Sequence, residues 1–335
     1  MTGKALSRAL AAFVAPLVLA LAPGAAQAQW APSKQITFAV GVPPGGSVDM
    51  YARSMKQILE AKDLLAGQSI LIDNLAGAAG LFALQLLQRH PGDAHFLATF
   101  HTGFIAGALS GALKADVREY TPLAMLVEET TLVIVRADSK LNSAQDLVGA
   151  LKRDPAALSI AVAPALGQNI HLAIAKPLKM AGVDIRKLTV APFRSSGESM
   201  TALLGGHVDV ASATTPVVLP HLASGKVRVL ATVGKERAGG PLASVPTWRE
   251  QGVDADYVSY SGVQLAKNVS AEQMRFWEGV LRKTAESAEW KQLVGKTGAK
   301  PIFLGQAQSQ RYFNEEWAAT KALLTELGLN DAGAN

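Results

Sequence analysis

The sequence predicts an α/β protein made of two similar units with a cleft between them. Short β-rich runs alternate with helical patterns along most of the chain, which is typical of sheets covered by helices. Apolar residues make up 49% and charged residues 18% of the 335 residues, so the chain can build a sizeable buried core. Glycine- and serine-rich loops follow several of the strands, at the places where open α/β sheets bind ligands.

The first unit has a β-α-β-α-β order. The patterns predict strands at 34–40, 69–73 and 95–100, helices at 47–62 and 80–90, and a helix of small residues near 103–113. This order favours a mostly parallel sheet with helices packed on it.

The second unit repeats the alternation. Strands are predicted at 131–137, 158–163, 188–193, 208–213 and 227–233, and helices at 142–153, 169–182, 197–206 and 217–225. The Gly- and Pro-rich stretch at 236–252 is then predicted to be a surface loop that leads the chain away from this unit.

The last part holds a strand region at 257–266 and a helical tail at 270–287, 289–298 and 309–328. Ser270 is followed three residues later by Gln273, which matches a capping box at the start of the first of these helices.

The first 28 residues have the pattern of a secretory signal. Lys4 and Arg8 precede an uncharged apolar run at 9–22, and Ala26–Ala28 supplies small residues for cleavage. A membrane anchor is the alternative, but the run is short for a bilayer span and prolines interrupt it. The chain has no cysteine, which excludes disulfides and thiolate chemistry and fits a bacterial periplasm.

The loop "GVPPGGSVDM" at 41–50 joins the first predicted strand to the first predicted helix. It has neither the spacing of a P-loop nor that of GxGxxG, so nucleotide binding is poorly supported. Its glycines allow close backbone approach, and the helix start would present N–H groups that suit an anion. A plain tight turn, with Asp49 placed favourably at the helix start, is an equally good interpretation.

Four further loops have a similar character. They lie at 73–80, 100–104, 163–171 and 192–199, each between a predicted strand and a predicted helix. One such loop is a weak signal, but five at the same ends of successive strands indicate a ligand cleft.

Catalytic and metal sites are poorly supported. The six histidines show no HExxH or comparable spacing, and there is no Gly-x-Ser-x-Gly elbow. Asp209 and His171 could meet in a cleft, but no nucleophile is marked beside them. The formal net charge of +5 is mild, and no basic stripe favours nucleic acid. We therefore expect no enzyme activity, cofactor, metal or nucleic-acid partner.

Several segments together resemble one family. "QITFAVGVPPGGSVDMYAR", "APALGQNIHLA", "LLGGHVDVASATTPVVLPHLASGKVRVLAT" and "LASVPTWREQG" are similar to segments of the extracytoplasmic solute receptors of tripartite tricarboxylate transporters, the Bug receptor family. The resemblance runs from about residue 34 to the end of the chain, with the segments in family order.

The resemblance implies a two-lobed periplasmic binding protein fold of type II, with two crossover strands and a ligand cleft between the lobes. Residues 1–28 would be the signal peptide, 29–130 the first part of lobe 1, 131–250 lobe 2, and 251–335 the return segment and C-terminal helices of lobe 1. The protein would be a periplasmic monomer that captures a mono-, di- or aromatic carboxylate for the membrane permease subunits of a transporter. A sensory receptor that presents its ligand to a membrane histidine kinase is the alternative, since both roles need the same cleft.

The family holds carboxylates with backbone amides, small hydroxyls and ordered waters rather than with arginine clamps. Carried over by matching motif, the ligand-binding positions are Val42, Gly45, Gly46, Ser47, Asp49, Thr102, Gly103, Gly167, Gln168, Asn169, His171, Ser195 and Asp209.

The sequence also departs from the family pattern around these positions. Val42 stands where an aromatic residue is usual, and "NLAGAAG" at 74–80 lacks the usual Arg and Pro. Ser195 and Ser196 replace a usual glycine pair. These changes would reshape the pocket, so the substrate of a relative does not carry over.

Overall fold

A computed structural model describes residues 30–45 and 47–330 of the protein. The predicted signal peptide and Gly46 lie outside the described residues. The strands are β1 (Ile36–Val40), β2 (Ile70–Asn74), β3 (Phe96–His101), β4 (Thr121–Glu129), β5 (Thr131–Arg136), β6 (Ser159–Val162), β7 (Thr189–Pro192), β8 (Val210–Thr214), β9 (Val227–Thr232), β10 (Ser259–Leu265) and β11 (Lys300–Leu304).

Ten α-helices accompany these strands in the described part of the chain. They are α1 (Ser47–Ala61), α2 (Leu81–Gln88), α3 (Gly103–Leu109), α4 (Ala144–Arg153), α5 (Asn169–Met180), α6 (Ser196–Leu204), α7 (Thr215–Ala223), α8 (Ala271–Glu286), α9 (Ala288–Lys296) and α10 (Gln306–Leu327). The capping box at Ser270 is confirmed, with the Ser270 hydroxyl accepting from the Gln273 N–H and the Gln273 side chain accepting from the Ser270 N–H.

The strands form two sheets, one in each lobe. The lobe 1 sheet has the order β11-β4-β10-β3-β1-β2, and the lobe 2 sheet has the order β7-β6-β8-β5-β9. The chain passes between the lobes twice, from β4 to β5 and from β9 to β10. This is the predicted α/β fold of two lobes with two crossovers.

The predicted parallel pairing holds for the strands joined by β-α-β connections, but both sheets also contain antiparallel pairs and are therefore mixed. Only β1 with β2 and β3, and β6 with β7 and β8, pair in parallel, while β5, β10 and β11 run antiparallel to their neighbours. A strand that enters a lobe from the other lobe must run away from the crossover. The strands that follow β-α-β connections run towards it, so β5 and β10 oppose them.

Strands β4 and β11 were not predicted. Most of β4 is a buried run without the two-residue alternation that marks a half-exposed strand. Strand β11 contains Pro301 and lies at the edge of its sheet, where a missing N–H is tolerated.

The cores fix how the two lobes face each other. One core lies between the lobe 1 sheet and helices α1, α8 and α9, with Trp277 and Trp290 fully buried in it. A second core includes residues of α3, α5 and α10 and is shared by both lobes. The start of α5 in lobe 2 is therefore packed against lobe 1, beside the carboxyl end of β3.

Candidate functional site

The loop after β1 is held in place by Asp49, which lies in the first turn of α1. One carboxylate oxygen of Asp49 accepts hydrogen bonds from the Gly45 N–H and the Arg53 side chain, both at 2.9 Å. The other accepts from the Asn74 amide at 2.8 Å. Burial alone would raise the pKa of Asp49, but these hydrogen bonds outweigh it and lower the pKa. Both oxygens of the buried carboxylate thus already accept hydrogen bonds from groups of the protein.

Gly45 and Val42 also have defined roles in this loop. Gly45 has a φ of +92°, a conformation that favours glycine, and its N–H is already used by Asp49. The Val42 carbonyl accepts from the Asn74 amide at 3.1 Å, and its side chain packs against the core beneath α1. Of the five positions predicted in this loop, Gly46 lies outside the described residues, and Ser47 is the first residue of α1.

Thr102 is buried and fully engaged. Its hydroxyl accepts from the Tyr260 N–H at 2.8 Å and shares a 2.8 Å hydrogen bond with the Tyr312 hydroxyl. Its own N–H donates to the Tyr260 carbonyl. Thr102 therefore links the start of α3 to β10 and α10 by hydrogen bonds. The next residue, Gly103, lies near the other lobe.

Gly103 is the point where the two lobes come together. A Cβ added at this position would lie 2.8 Å from Nδ1 of His101 and 3.6 Å from Oδ1 of Asn169. His101 ends β3 in lobe 1, and Asn169 begins α5 in lobe 2. An imidazole and a carboxamide from opposite lobes thus both lie close to Gly103, and a side chain at this position would collide with the imidazole.

His101 was not predicted as a site residue. Burial lowers its pKa to about 4, so its ring is neutral at neutral pH. The ring lies 4.1 Å from that of Phe104, centroid to centroid. A lone histidine at a strand end carries no motif, and the only signal in the sequence was its place next to Thr102 and Gly103.

The other residues of the α5 loop are engaged in holding it. The Gly167 N–H donates to Nδ1 of His171 at 2.9 Å, so the proton of this imidazole is on Nε2. Burial lowers the pKa of His171 to about 4. The Gln168 amide donates to the Ser110 hydroxyl at 3.0 Å and joins lobe 2 to the end of α3. These three residues position Asn169 against Gly103.

Ser195 and Asp209 lie elsewhere in lobe 2. Ser195 caps α6, with its hydroxyl accepting from the Glu198 N–H at 3.2 Å, and it is exposed at the carboxyl end of β7. Asp209 precedes β8, at the amino ends of the strands, where its carboxylate accepts from the Ser159 N–H and hydroxyl at 2.8 and 2.7 Å. The structure therefore leaves Asp209 away from the loops that follow the strands.

A second contact between the lobes lies at the first crossover. The Thr215 hydroxyl, at the start of α7, donates to the Thr130 carbonyl at 3.3 Å. Thr215 also lies against Gly298 of lobe 1, where an added Cβ would be 2.4 Å from its methyl carbon. Beside this contact, the Glu129 carboxyl group accepts from the hydroxyls of Tyr51 and Ser261.

The described residues offer no group of three or more His, Asp or Glu side chains that could hold a metal ion. Within the same residues, no helix has the length and apolar character needed to cross a bilayer. The candidate site predicted from the sequence is a set of helix starts with small polar groups, and helix starts favour negative charge.

Comparisons with known proteins bear on the family and the fold of the chain. Residues 52–329 match the protein family described as "Tripartite tricarboxylate transporter family receptor". A "UPF0065 protein in gbd 5'region" of Cupriavidus necator is 28% identical over 324 residues, covering 96% of each chain.

Solved structures match the fold closely. A TctC solute binding protein from Polaromonas, determined without ligand, has a TM-score of 0.75 at 22% identity and covers 88% of this chain and 99% of its own. Rpa4515 of R. palustris, determined with adipate, has a TM-score of 0.74 at 26% identity and covers 89% of this chain and 98% of its own.

Proposed function

The chain belongs to the family of tripartite tricarboxylate transporter receptors, and from this membership we propose that it is a periplasmic protein that captures a small carboxylate between its lobes. The receptors of this family bind solutes and are not enzymes. The adipate-bound relative supports a carboxylate ligand, and a dicarboxylate is a natural first candidate.

The observation that carries the proposal is the meeting of the two lobes at Gly103. His101 and Asn169 approach Gly103 from opposite lobes, and α3 and α5 begin at Gly103 and Asn169. A carboxylate bound next to this contact would accept hydrogen bonds from backbone N–H groups, the Asn169 amide and the neutral imidazole. Such bonds to an ionised acceptor are about twice as strong as neutral ones, and lobe closure strengthens them by excluding water.

Ser47 and Ser195 would complete the site from the two sides. Each stands at the start of a longer helix, α1 in lobe 1 and α6 in lobe 2, where the helix dipole favours negative charge. Asp49, Thr102, Gly167, Gln168 and His171 act as positioning residues in this proposal, because hydrogen bonds within the protein occupy their polar groups. Asp209 is left out of the proposed site.

Calorimetric titration tests the proposal. The purified protein should bind at least one member of a panel of mono-, di- and aromatic carboxylates, and His101→Ala and Asn169→Ala should each weaken that binding. Binding to sugars or cations, with none to any carboxylate, would overturn the proposal.

Delivery to a membrane permease is the second part of the proposal. Cells that lack the receptor gene should lose uptake of the identified ligand and regain it with the wild-type gene, but not with His101→Ala. Unchanged uptake in the deletion strain would contradict a transport role.

A further inference from the structure

Glu129 is an acidic side chain at the junction of the lobes that is not part of the proposed ligand site. It is the last residue of β4, just before the chain crosses to lobe 2. Its carboxyl group accepts from the Tyr51 hydroxyl and the Ser261 hydroxyl, both at 3.2 Å, and is also hydrogen-bonded by the Ser47 side chain. Three neutral hydroxyls from α1 and β10 therefore surround it.

The charged groups near Glu129 are engaged elsewhere. On α1, Asp49 is paired with Arg53. On its own strand, the preceding Glu128 is directed towards Tyr260, and beyond it Lys300 of β11 pairs with Glu236. Tyr51 is the titratable group that touches the carboxyl group, and it shares its hydroxyl with Thr297 at the end of α9.

Burial raises the pKa of Glu129, and the hydrogen bonds from Ser261, Tyr51 and Ser47 offset this only in part. Within the described residues, no Lys or Arg is among the groups that shift this pKa. A buried acid without a counter-charge is poorly stabilised as an anion and accepts a proton readily.

The position of Ser47 connects this acid to the ligand. Ser47 is the first residue of α1, and the proposed function places an anion at that helix start. A bound carboxylate and an ionised Glu129 would then stand on either side of one serine. Two carboxylates in such a site do not both stay ionised, so the pKa of one of them rises.

Resting on the proposed function, we propose that Glu129 makes ligand capture proton-linked, so that the receptor takes up a proton on this carboxyl group as the anionic ligand binds. Neutral Glu129 removes the repulsion and leaves the start of α1 to the ligand. The receptor thus binds most tightly at lower pH, and its affinity falls as the pH rises through the pKa of Glu129 in the free protein.

Titration calorimetry of the full receptor tests the inference. The probe is the tightest-binding carboxylate from the panel that is fully ionised over the pH range used, measured in buffers of different ionisation enthalpy. We expect net uptake of up to one proton, with Kd rising by up to about tenfold per pH unit within the window. Glu129→Gln should bind without proton uptake and with a flat pH profile. Glu128→Gln, the neighbouring acid, should behave as the wild type.

A third variant tests the assignment by shifting the pKa. Ser261→Ala removes a hydrogen bond that lowers the pKa of Glu129, so it should move the fall in affinity to higher pH. Carboxylate binding without proton uptake in the wild type, unchanged uptake in Glu129→Gln, or an unmoved profile in Ser261→Ala would overturn the inference alone. Failure to bind any carboxylate would overturn the proposed function with it.

Discussion

Glycine at position 103 leaves room for the ring of His101. An added methyl group would stand 2.8 Å from Nδ1 and 2.9 Å from Cε1 of that ring, which is closer than side chains can approach. The neighbouring strand and the Phe104 ring restrict where the imidazole could move. The identity of residue 103 therefore sets the orientation of the residue before Thr102.

We predict that Gly103→Ala weakens ligand binding by about tenfold or more, which corresponds to about 1.4 kcal/mol. The displaced imidazole would no longer lie beside Gly103 in the position that the proposed site uses. Gly279→Ala in α8 is the matched control, because an added Cβ there has no atom within 4 Å. Calorimetry of both variants checks the prediction, and equal affinities would contradict it.

His101 and His171 give a second prediction at the scale of single residues. Burial lowers the pKa of His101 and of His171 to about 4, below the ordinary value of 6.5. The unfolded chain therefore binds more protons than the folded protein between these values, and stability should fall as the pH drops from 6.5 towards 4. Two histidine signals in NMR should titrate near pH 4. If all histidines titrate near 6.5, the predicted lowering of these two pKa values is wrong.

Among the elements, the turn between β1 and α1 shows how a loop is held for binding. Asp49 ties the Gly45 N–H, Arg53 and Asn74 together, and its side chain is only 4% exposed. We predict that Asp49→Ala lowers the free energy of unfolding by about 1–3 kcal/mol, because buried donors lose their acceptor. It should also weaken ligand binding, since the loop before α1 would lose its fixed shape.

Ser270→Ala is the control for that variant. It removes the cap of α8 and should cost about 1 kcal/mol of stability. Because β10 runs away from the crossover before α8 begins, this change should leave ligand affinity unaltered. Chemical denaturation and calorimetry separate the two effects, and a loss of affinity in Ser270→Ala would show that binding follows general stability.

The helices and strands also show how much of the fold can be predicted from the sequence. Local patterns predicted the strands at 36–40, 70–74 and 96–101 and most helices within a few residues. They missed β4 and the mixed pairing, because strand direction depends on where the chain crosses between lobes. The loops of the candidate site stay a prediction, and the sequence does not show which of their polar groups are paired within the protein. Whether Thr102 or Asp49 has a free polar group depends on partners as distant in sequence as Tyr312 and Asn74.

At the scale of the whole molecule, the proposed function places the ligand between the two lobes. The lobes touch at Gln168 with Ser110 and at Thr215 with Gly298. If the ligand is held between these contacts, as proposed, its exchange requires the lobes to separate. Any restraint across either contact should therefore slow the exchange.

We predict that the double variant Thr215→Cys/Gly298→Cys forms a disulfide that locks the lobes together. An added Cβ on residue 298 would lie 3.5 Å from Cβ of Thr215, which lies within the range of natural disulfides. Because the chain has no other cysteine, the pairing is unambiguous. Stopped-flow measurements should show slower ligand exchange in the oxidised protein.

Reduction should restore the wild-type rate, and the single variant Thr215→Cys should behave as the wild type throughout. The positive φ of +74° at residue 298 will cost about 1–3 kcal/mol of stability, which a thermal melt of the reduced protein measures. Unchanged exchange in the oxidised form would show that the lobes need not separate.

The order of strands has a consequence for how the chain folds. All five strands of the lobe 2 sheet come from residues 131–232, so that lobe can assemble from one continuous stretch. In the lobe 1 sheet, β10 lies between β3 and β4. Strand β4 therefore cannot join β1, β2 and β3 in one sheet until residues 259–265 have formed β10. Because closing that long loop is slow, lobe 2 should acquire protection from hydrogen exchange first during refolding, with the centre of lobe 1 last.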